Sequence, residues 1–295
     1  MAKLRNIRIN TFRGISNLKV DDLSHVNLIV GDNNCGKTSI LEAIQLLRAP
    51  DDINNVFRVS RTRDSYIGIS RMPIFDSFVN MLNGKNDKLL SVSCEYESDS
   101  SSNLKTASVS INGSIKRVMF DINELKKEDR FAYREQMLEP DDNEIDEFVG
   151  ELISESTFGM DKKSIQINRF TNVTGRAVET QELMRIQYLS PISHIANLAF
   201  NRIIKNEKYK EICVRMLKMF DENIDDLLFL KMESSYRPVE YVKNNAVGLM
   251  PLSTYGDGIK KVLSIANAIA QAADGVLLID EIETCLLYTS PSPRD

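Results

Sequence analysis

The sequence predicts an α/β fold built on a mixed sheet, and three observations predict it. An apolar run of strand length, a glycine-bearing loop and an amphipathic helix follow one another over residues 25–47. Polar and apolar residues alternate repeatedly between 88 and 120. A strand–loop–helix–strand order then returns over residues 248–281. Periods of two and of 3.6 residues thus coexist in one chain.

A chain of 295 residues can bury a sizeable core as one large domain or two. Its composition, 42% hydrophobic and 27% charged, is that of an ordinary globular protein. No run of about 18 apolar residues occurs, so no membrane span is expected. The N-terminus leads into alternating residues rather than a signal-peptide core, and a cytoplasmic location follows as the expectation. The net charge of -5 argues against a protein that coats nucleic acid with its whole surface, and is compatible with one local basic groove. Cys35, Cys94, Cys213 and Cys285 are scattered without a CxxC pair, the pattern of free thiols rather than of a zinc site.

Residues 3–10 alternate as a strand, with Leu4, Ile7 and Ile9 interleaved with polar residues, and ISNLKVDDL after the Phe12-Arg13-Gly14 turn reads as a second. His25–Val30 reads as a third. Lys37–Leu47 carries Ile40, Leu41, Ile44 and Leu47 at helical spacing, and Ala49-Pro50-Asp51-Asp52 stops that helix. Residues 75–82 are helical in pattern. Residues 88–120 read as an antiparallel meander, with a polar turn at 98–103 and a hairpin at Asn112-Gly113. The acidic stretch 121–157 reads as partly helical, 164–190 as strand-like, and 195–230 as helix with Leu198, Ile203, Ile204, Ile212, Met216, Leu217 and Phe220 on its apolar side.

Three motifs carry chemistry. Gly31-Asp32-Asn33-Asn34-Cys35-Gly36-Lys37-Thr38 fits the phosphate-binding pattern GxxxxGK[ST] at every fixed position, and Ser39 follows it. Glycines let the backbone curl so that successive N–H groups converge on one point, and the helix that follows adds its positive end. Lys37 is expected to reach the β- and γ-phosphates, and the Thr38 hydroxyl to bind Mg²⁺. The second motif, Val276–Ile279 followed by Asp280 and Glu281, is a buried strand tipped with two carboxylates. Asp280 suits the metal, and Glu281 the attacking water. The third is Leu252–Gly258, a small-residue loop with Ser253, Gly256 and Gly258, opening a helix with Ile259, Val262, Leu263, Ile265, Ala266 and Ile269 on its apolar side. A plain capped helix explains that pattern equally well until the acidic strand beyond it is considered.

In this order the three motifs resemble the ABC-type ATPase heads, the class of RecF, the SMC proteins and the OLD family, with the OLD-like bacterial ATPases labelled AAA as the nearest likeness. The resemblance lies in the two ends, INTFRGISNLKV to IQLL and MPLSTYGDGIKK to DEIE. It implies a phosphate-loop NTPase of the ABC type, a mixed sheet with an antiparallel β-lobe and a helical arm. The divisions expected are 1–190 for the phosphate-loop half with its lobe, 191–235 for the arm, and 236–284 for the signature loop, helix and acidic strand.

The resemblance also implies ATP and Mg²⁺ as ligands and a homodimer closed over ATP, with Ser253 or the Gly256–Gly258 turn meeting the partner's γ-phosphate. Gln166 and Gln187 are both candidates for the family's glutamine loop. The role implied is an Mg²⁺-dependent ATPase in DNA processing or phage defence, with DNA or a nuclease domain as partner. The alternative is a regulatory ATP-binding module that gates an effector with little turnover. A GTPase is disfavoured because no NKxD motif occurs.

Family members continue past the acidic pair and carry a switch histidine, whereas His25 and His194 stand in the wrong places for that role. Residues 285–295 resemble a translated adapter tail, and because the family's further strands and switch histidine are not in this chain, it is expected to be inactive alone. The arginines 58, 61, 63 and 71 form either a DNA-contacting patch or a partly ion-paired surface, and the acidic run 139–151 reads as a solvated helix face.

Overall fold

The computed structural model describes residues 2–63, 72–85, 87–98, 101–119, 144–157, 159–171, 182–193, 203, 206–230 and 239–282. The chain divides into two compact units, Met1–Arg185 and Ile186–Asp295.

The first unit is a six-stranded antiparallel sheet. Its strands are β1 (Ala2–Phe12), β2 (Ile15–Val20), β3 (Asp87–Ser98), β4 (Ser101–Met119), β5 (Glu144–Ser156) and β6 (Gly159–Asn168), in the order β2-β1-β3-β4-β5-β6. Helices α1 (Lys37–Leu46), α2 (Ile53–Ser60) and α3 (Ile74–Val79) belong to the same unit. Alternation sends Ile7, Ile9, Leu90, Val92, Val109 and Ile111 into the core, each at most 2% exposed. The Phe78 ring joins the helices to the sheet. It meets Phe57 of α2 edge-on at 5.8 Å and Phe148 of β5 at 5.1 Å. Asp52 caps α2 by accepting from the Asn54 N–H, which satisfies one of the helix's unpaired donors.

Four expectations change here. Asn112 and Gly113 are not a hairpin but the middle of β4, where Gly113 stands opposite Gly150. The Phe148 ring fills the space that side chains at this pair would take. Residues 144–156 of the acidic stretch are strand rather than helix, because they pair along β4 and Phe148, Leu152 and Ser154 turn into the sheet's packed face. The rest of that stretch lies outside the described residues. His25–Val30 is no strand: none of the described strands pairs with it, and Val26, Leu28 and Val30 are at least 76% exposed. Apolar side chains on both faces require sheet neighbours on both sides, so composition marks this run as strand-like while pairing decides its state. The fourth change belongs to the second unit.

There, β8 (Ile224–Leu230), β9 (Val239–Asn244) and β10 (Gly248–Pro251) form an antiparallel sheet in the order β10-β9-β8. Strands β7 (Ile186–Leu189) and β11 (Val276–Ile279) form a parallel pair. Helices α4 (Glu207–Lys218) and α5 (Asp257–Gln271) pack with the three-stranded sheet around Ile203, Leu217, Ile224, Leu227, Val242, Leu263 and Ala266. The helical reading of 195–230 therefore fails over 224–230, where residues pair in a β8–β9 ladder. Ile212 and Phe220, expected on the apolar side, are 43% and 40% exposed; Cys213 and Leu217 take the buried positions. Residues 194–202 and 204–205 of that reading lie outside the described set.

Candidate functional site

The phosphate-loop motif lies in the first unit and is followed directly by α1. Gly31 to Cys35 are exposed, and Gly36, Lys37 and Thr38 half-buried. Left-handed backbone at Asn34 (φ 64°) and Gly36 (φ 97°) curls the loop back on itself. Gly36 can hold that angle without strain because it has no Cβ. At Gly31 a Cβ would lie 2.7 Å from the Cys35 Sγ, so the turn's closeness excludes a side chain there unless Cys35 moves. The Lys37 ammonium donates to the carbonyls of Gly31 and Asp32, both at 2.8 Å, which clips the two ends of the loop together. The Ile40 N–H donates to Gly36 O at 3.0 Å as the first turn of α1 forms. No side chain caps this N-terminus, and the positive end of a helix favours an anion.

Behind the loop lies a polar cluster that sequence periodicity missed. Ile40 and Leu41 are only half-buried, while Glu42 is 0% and Gln45 1% exposed. Glu42 receives the Arg13 guanidinium at 2.8 Å, and Arg63 Nε and Nη2 each donate to its carboxylate at 2.8 Å. Arg63 Nη2 also donates to the Ser39 hydroxyl at 2.8 Å. The signal in the sequence was a pair of polar residues, Glu42 and Gln45, falling on the same side of α1 as the buried Leu46.

The arginine stretch is therefore directed inward in part. Arg58 donates to Gln45 Oε1 and Asn55 Oδ1, and burial, with nearby Arg48 adding to it, pushes its guanidinium down to about 10. Arg71 lies outside the described residues.

The second unit carries the other two motifs. Val276–Ile279 is the strand β11, as expected, parallel to β7. Asp280 at its tip is 7% exposed. Its N–H donates to Leu189 O at 3.0 Å, and its carboxylate accepts from the Tyr188 hydroxyl at 3.0 Å. Tyr188 is a second residue that motif reading overlooked; it sits beside Gln187 in a run read only as strand. Glu281 is exposed and adopts a left-handed φ of 51°, uncommon for a residue with a Cβ. Ser253 ends in a short 3₁₀ turn, Leu252–Thr254, and Gly256 precedes the first residue of α5. Ser253 and Gly256 are exposed and Gly258 half-buried. The apolar side expected of α5 largely holds: Leu263 and Ala266 are buried and Ile259 and Val262 pack against the same core, whereas Ile269 is 52% exposed and Ala270 is buried instead.

Among the described residues, no group of three His, Cys, Asp or Glu side chains is placed to hold a metal. Cys35 is exposed and Cys94 and Cys213 are buried, all as free thiols. Burial pushes the Cys94 thiol up to about 12 and Cys213 to about 11, so neither is a thiolate near neutrality. No described helix is long and apolar enough to cross a membrane.

Comparison with known proteins gives concordant results. An ATP/GTP phosphatase of Helicobacter pylori is 22% identical over 303 aligned residues, spanning 97% of this chain and 77% of that protein. An uncharacterized protein of Methanocaldococcus jannaschii is 29% identical over 140 residues, 47% of this chain and 62% of the other. Among solved structures, the recombination mediator protein RecF with ATP aligns over 99% of this chain and 87% of its own, with 11% identity and a TM-score of 0.48. The family model described as the AAA ATPase domain matches residues 2–212. A phosphate-loop motif opening a helix, on a mixed α/β scaffold within that span, accords with the match, and the chain belongs to the AAA ATPase domain family.

Proposed function

We propose that the chain carries the nucleotide site of an Mg²⁺-dependent ATPase and takes ATP through Gly31–Ser39. The observation that carries the reading is the loop itself: left-handed turns at Asn34 and Gly36 lead into an uncapped helix N-terminus, with Lys37 anchored at the loop's mouth. Lys37 supplies the fixed cation for the β- and γ-phosphates, and the backbone N–H groups of Gly31 to Ser39 supply the donors. Thr38 in the first unit and Asp280 in the second are each assigned by their own chemistry as candidate ligands of the metal. A carboxylate that is nearly buried and oriented by the Tyr188 hydroxyl is suited to a hard cation. Glu281 orients or deprotonates the attacking water; its left-handed backbone, an uncommon conformation for Glu, is consistent with a constrained functional position.

The proposal extends to pairing of two copies on ATP. The exposed Ser253, Thr254 and Gly256 precede a second helix N-terminus without a side-chain cap, which supports their meeting a phosphate held by another copy. The same hydrolytic head would serve DNA processing, phage defence or the gating of an effector, and in each the site residues are those named above.

Calorimetry of purified residues 1–295 with ATP and Mg²⁺ tests the reading. Measurable binding that Lys37→Ala abolishes supports it. Equal ATP affinity in the wild type and Lys37→Ala overturns the phosphate-loop assignment.

A further inference from the structure

Glu42 is the most deeply buried carboxylate in the first unit, at 0% exposure, and it stands one helical turn beyond the phosphate loop. It serves two guanidinium groups at once. Arg13 reaches it from the β1–β2 turn, where its own φ of 49° is left-handed and its N–H is fixed on Met81 O at 3.0 Å. Arg63 reaches it from beyond α2 with two donors, and spans from there to the Ser39 hydroxyl. Glu42 thus fixes two guanidinium groups beside the first turn of α1. That turn is where a phosphate would be received, and a fixed cation there adds to the helix's own positive end.

Stability alone gives a weak reason for such a cluster. An apolar side chain in place of a buried ion pair is often as stable or more so, because desolvating the charges offsets their attraction. Arg63 also keeps 45% of its side chain exposed, so the group is buried on the Glu42 side and open on another. Its planar fork fits the carboxylate at two points, which fixes the direction of the guanidinium as a lysine could not.

We propose that Glu42 is a positioning residue of the nucleotide site, holding Arg63 against Ser39 so that a fixed guanidinium contributes to phosphate binding. The assignment rests on the phosphate-loop reading and adds to it the second cation of the site. Arg13 completes the arrangement by holding the Glu42 carboxylate in place from the other side.

The test is titration of ATP with Mg²⁺ into residues 1–295 and four variants, at a temperature where each is folded by circular dichroism. Arg63→Gln and Glu42→Gln should each weaken ATP binding about tenfold, the size of one charge-assisted phosphate contact. The double variant should be no weaker than either single one, because both remove the same guanidinium placement. Arg63→Lys, which keeps charge but not the two-point bond, should fall between Arg63→Gln and wild type. Should Glu42→Gln fail to fold, the two Arg63 variants decide, since that side chain is part-exposed. Unchanged ATP affinity in Arg63→Gln overturns the assignment, and additive losses in the double variant remove Glu42 from it. Loss of binding in Lys37→Ala with no effect of Arg63→Gln leaves the phosphate loop standing and refutes only the positioning role. A wild-type chain that does not bind ATP refutes both.

Discussion

Replacing Gly150 by alanine should damage the first unit more than any exposed substitution near the loop. Gly150 on β5 faces Gly113 on β4, and the Phe148 ring lies across the pair. A Cβ at Gly150 would stand 2.3 Å from Asn112 O, 2.7 Å from Phe148 Cζ and 2.8 Å from Gly113 Cα. Two of those three atoms are backbone, so a side-chain rotation relieves only one. Overpacking of this kind costs about 3 kcal/mol at the upper end of its usual range. The alanine recovers about 0.4–1 kcal/mol by restricting the unfolded chain. A net loss of about 2–3 kcal/mol lowers the melting temperature of a unit this size by roughly 4–12 °C.

The chain has no Trp, so thermal and urea unfolding are best followed by far-ultraviolet circular dichroism together with the near-ultraviolet signal of Phe and Tyr. Gly14→Ala is the control. Nothing lies within 4 Å of its added Cβ, and stability should hold or rise slightly. Gly150→Ala within about 0.5 kcal/mol of wild type, the usual range for a neutral surface change, would refute the reasoning. It would mean that β4 and β5 do not approach closely at this pair.

Further outcomes are expected in the second unit. Tyr188→Phe removes the hydroxyl that Asp280 accepts, and should cost about 1.5–3 kcal/mol in urea unfolding because the acceptor is charged and nearly buried; an unchanged midpoint would show that the bond is immaterial. Glu281→Gln, in a form of the protein that turns over ATP, should retain ATP binding while hydrolysis falls, and should favour a nucleotide-dependent dimer by sedimentation; normal turnover would assign the water to another residue. Acid should weaken the β8–β9 pairing. The hydrogen bond from Lys243 holds the Asp225 carboxyl below its ordinary value of 3.8, so its contribution is present above that pH and is lost as pH falls through the lower folded value. Asp225→Asn should therefore flatten the acid limb of a pH–stability curve slightly, since both groups are solvent-exposed; an unaltered limb would remove this pair from the acid response.

What the sequence determined by itself was chemistry read along the chain. The phosphate-loop motif, the strand Val276–Ile279 with Asp280 and Glu281 at its end, and the helices beginning at Lys37 and near Gly258 depend on neighbours a few residues apart. Their patterns are therefore complete within one window. What tertiary structure decided was everything that depends on a distant partner. Gly113 is the middle of a strand because Gly150 lies opposite, 37 positions on, with an aromatic ring above them both. Ile224–Leu230 is a strand because β9 pairs with it, although its composition would serve a helix. Glu42 looks like a stray polar residue on a core-facing helix until Arg13 and Arg63 arrive from 29 positions before and 21 after. A buried carboxylate is tolerable only with such partners, and local periodicity carries no record of them.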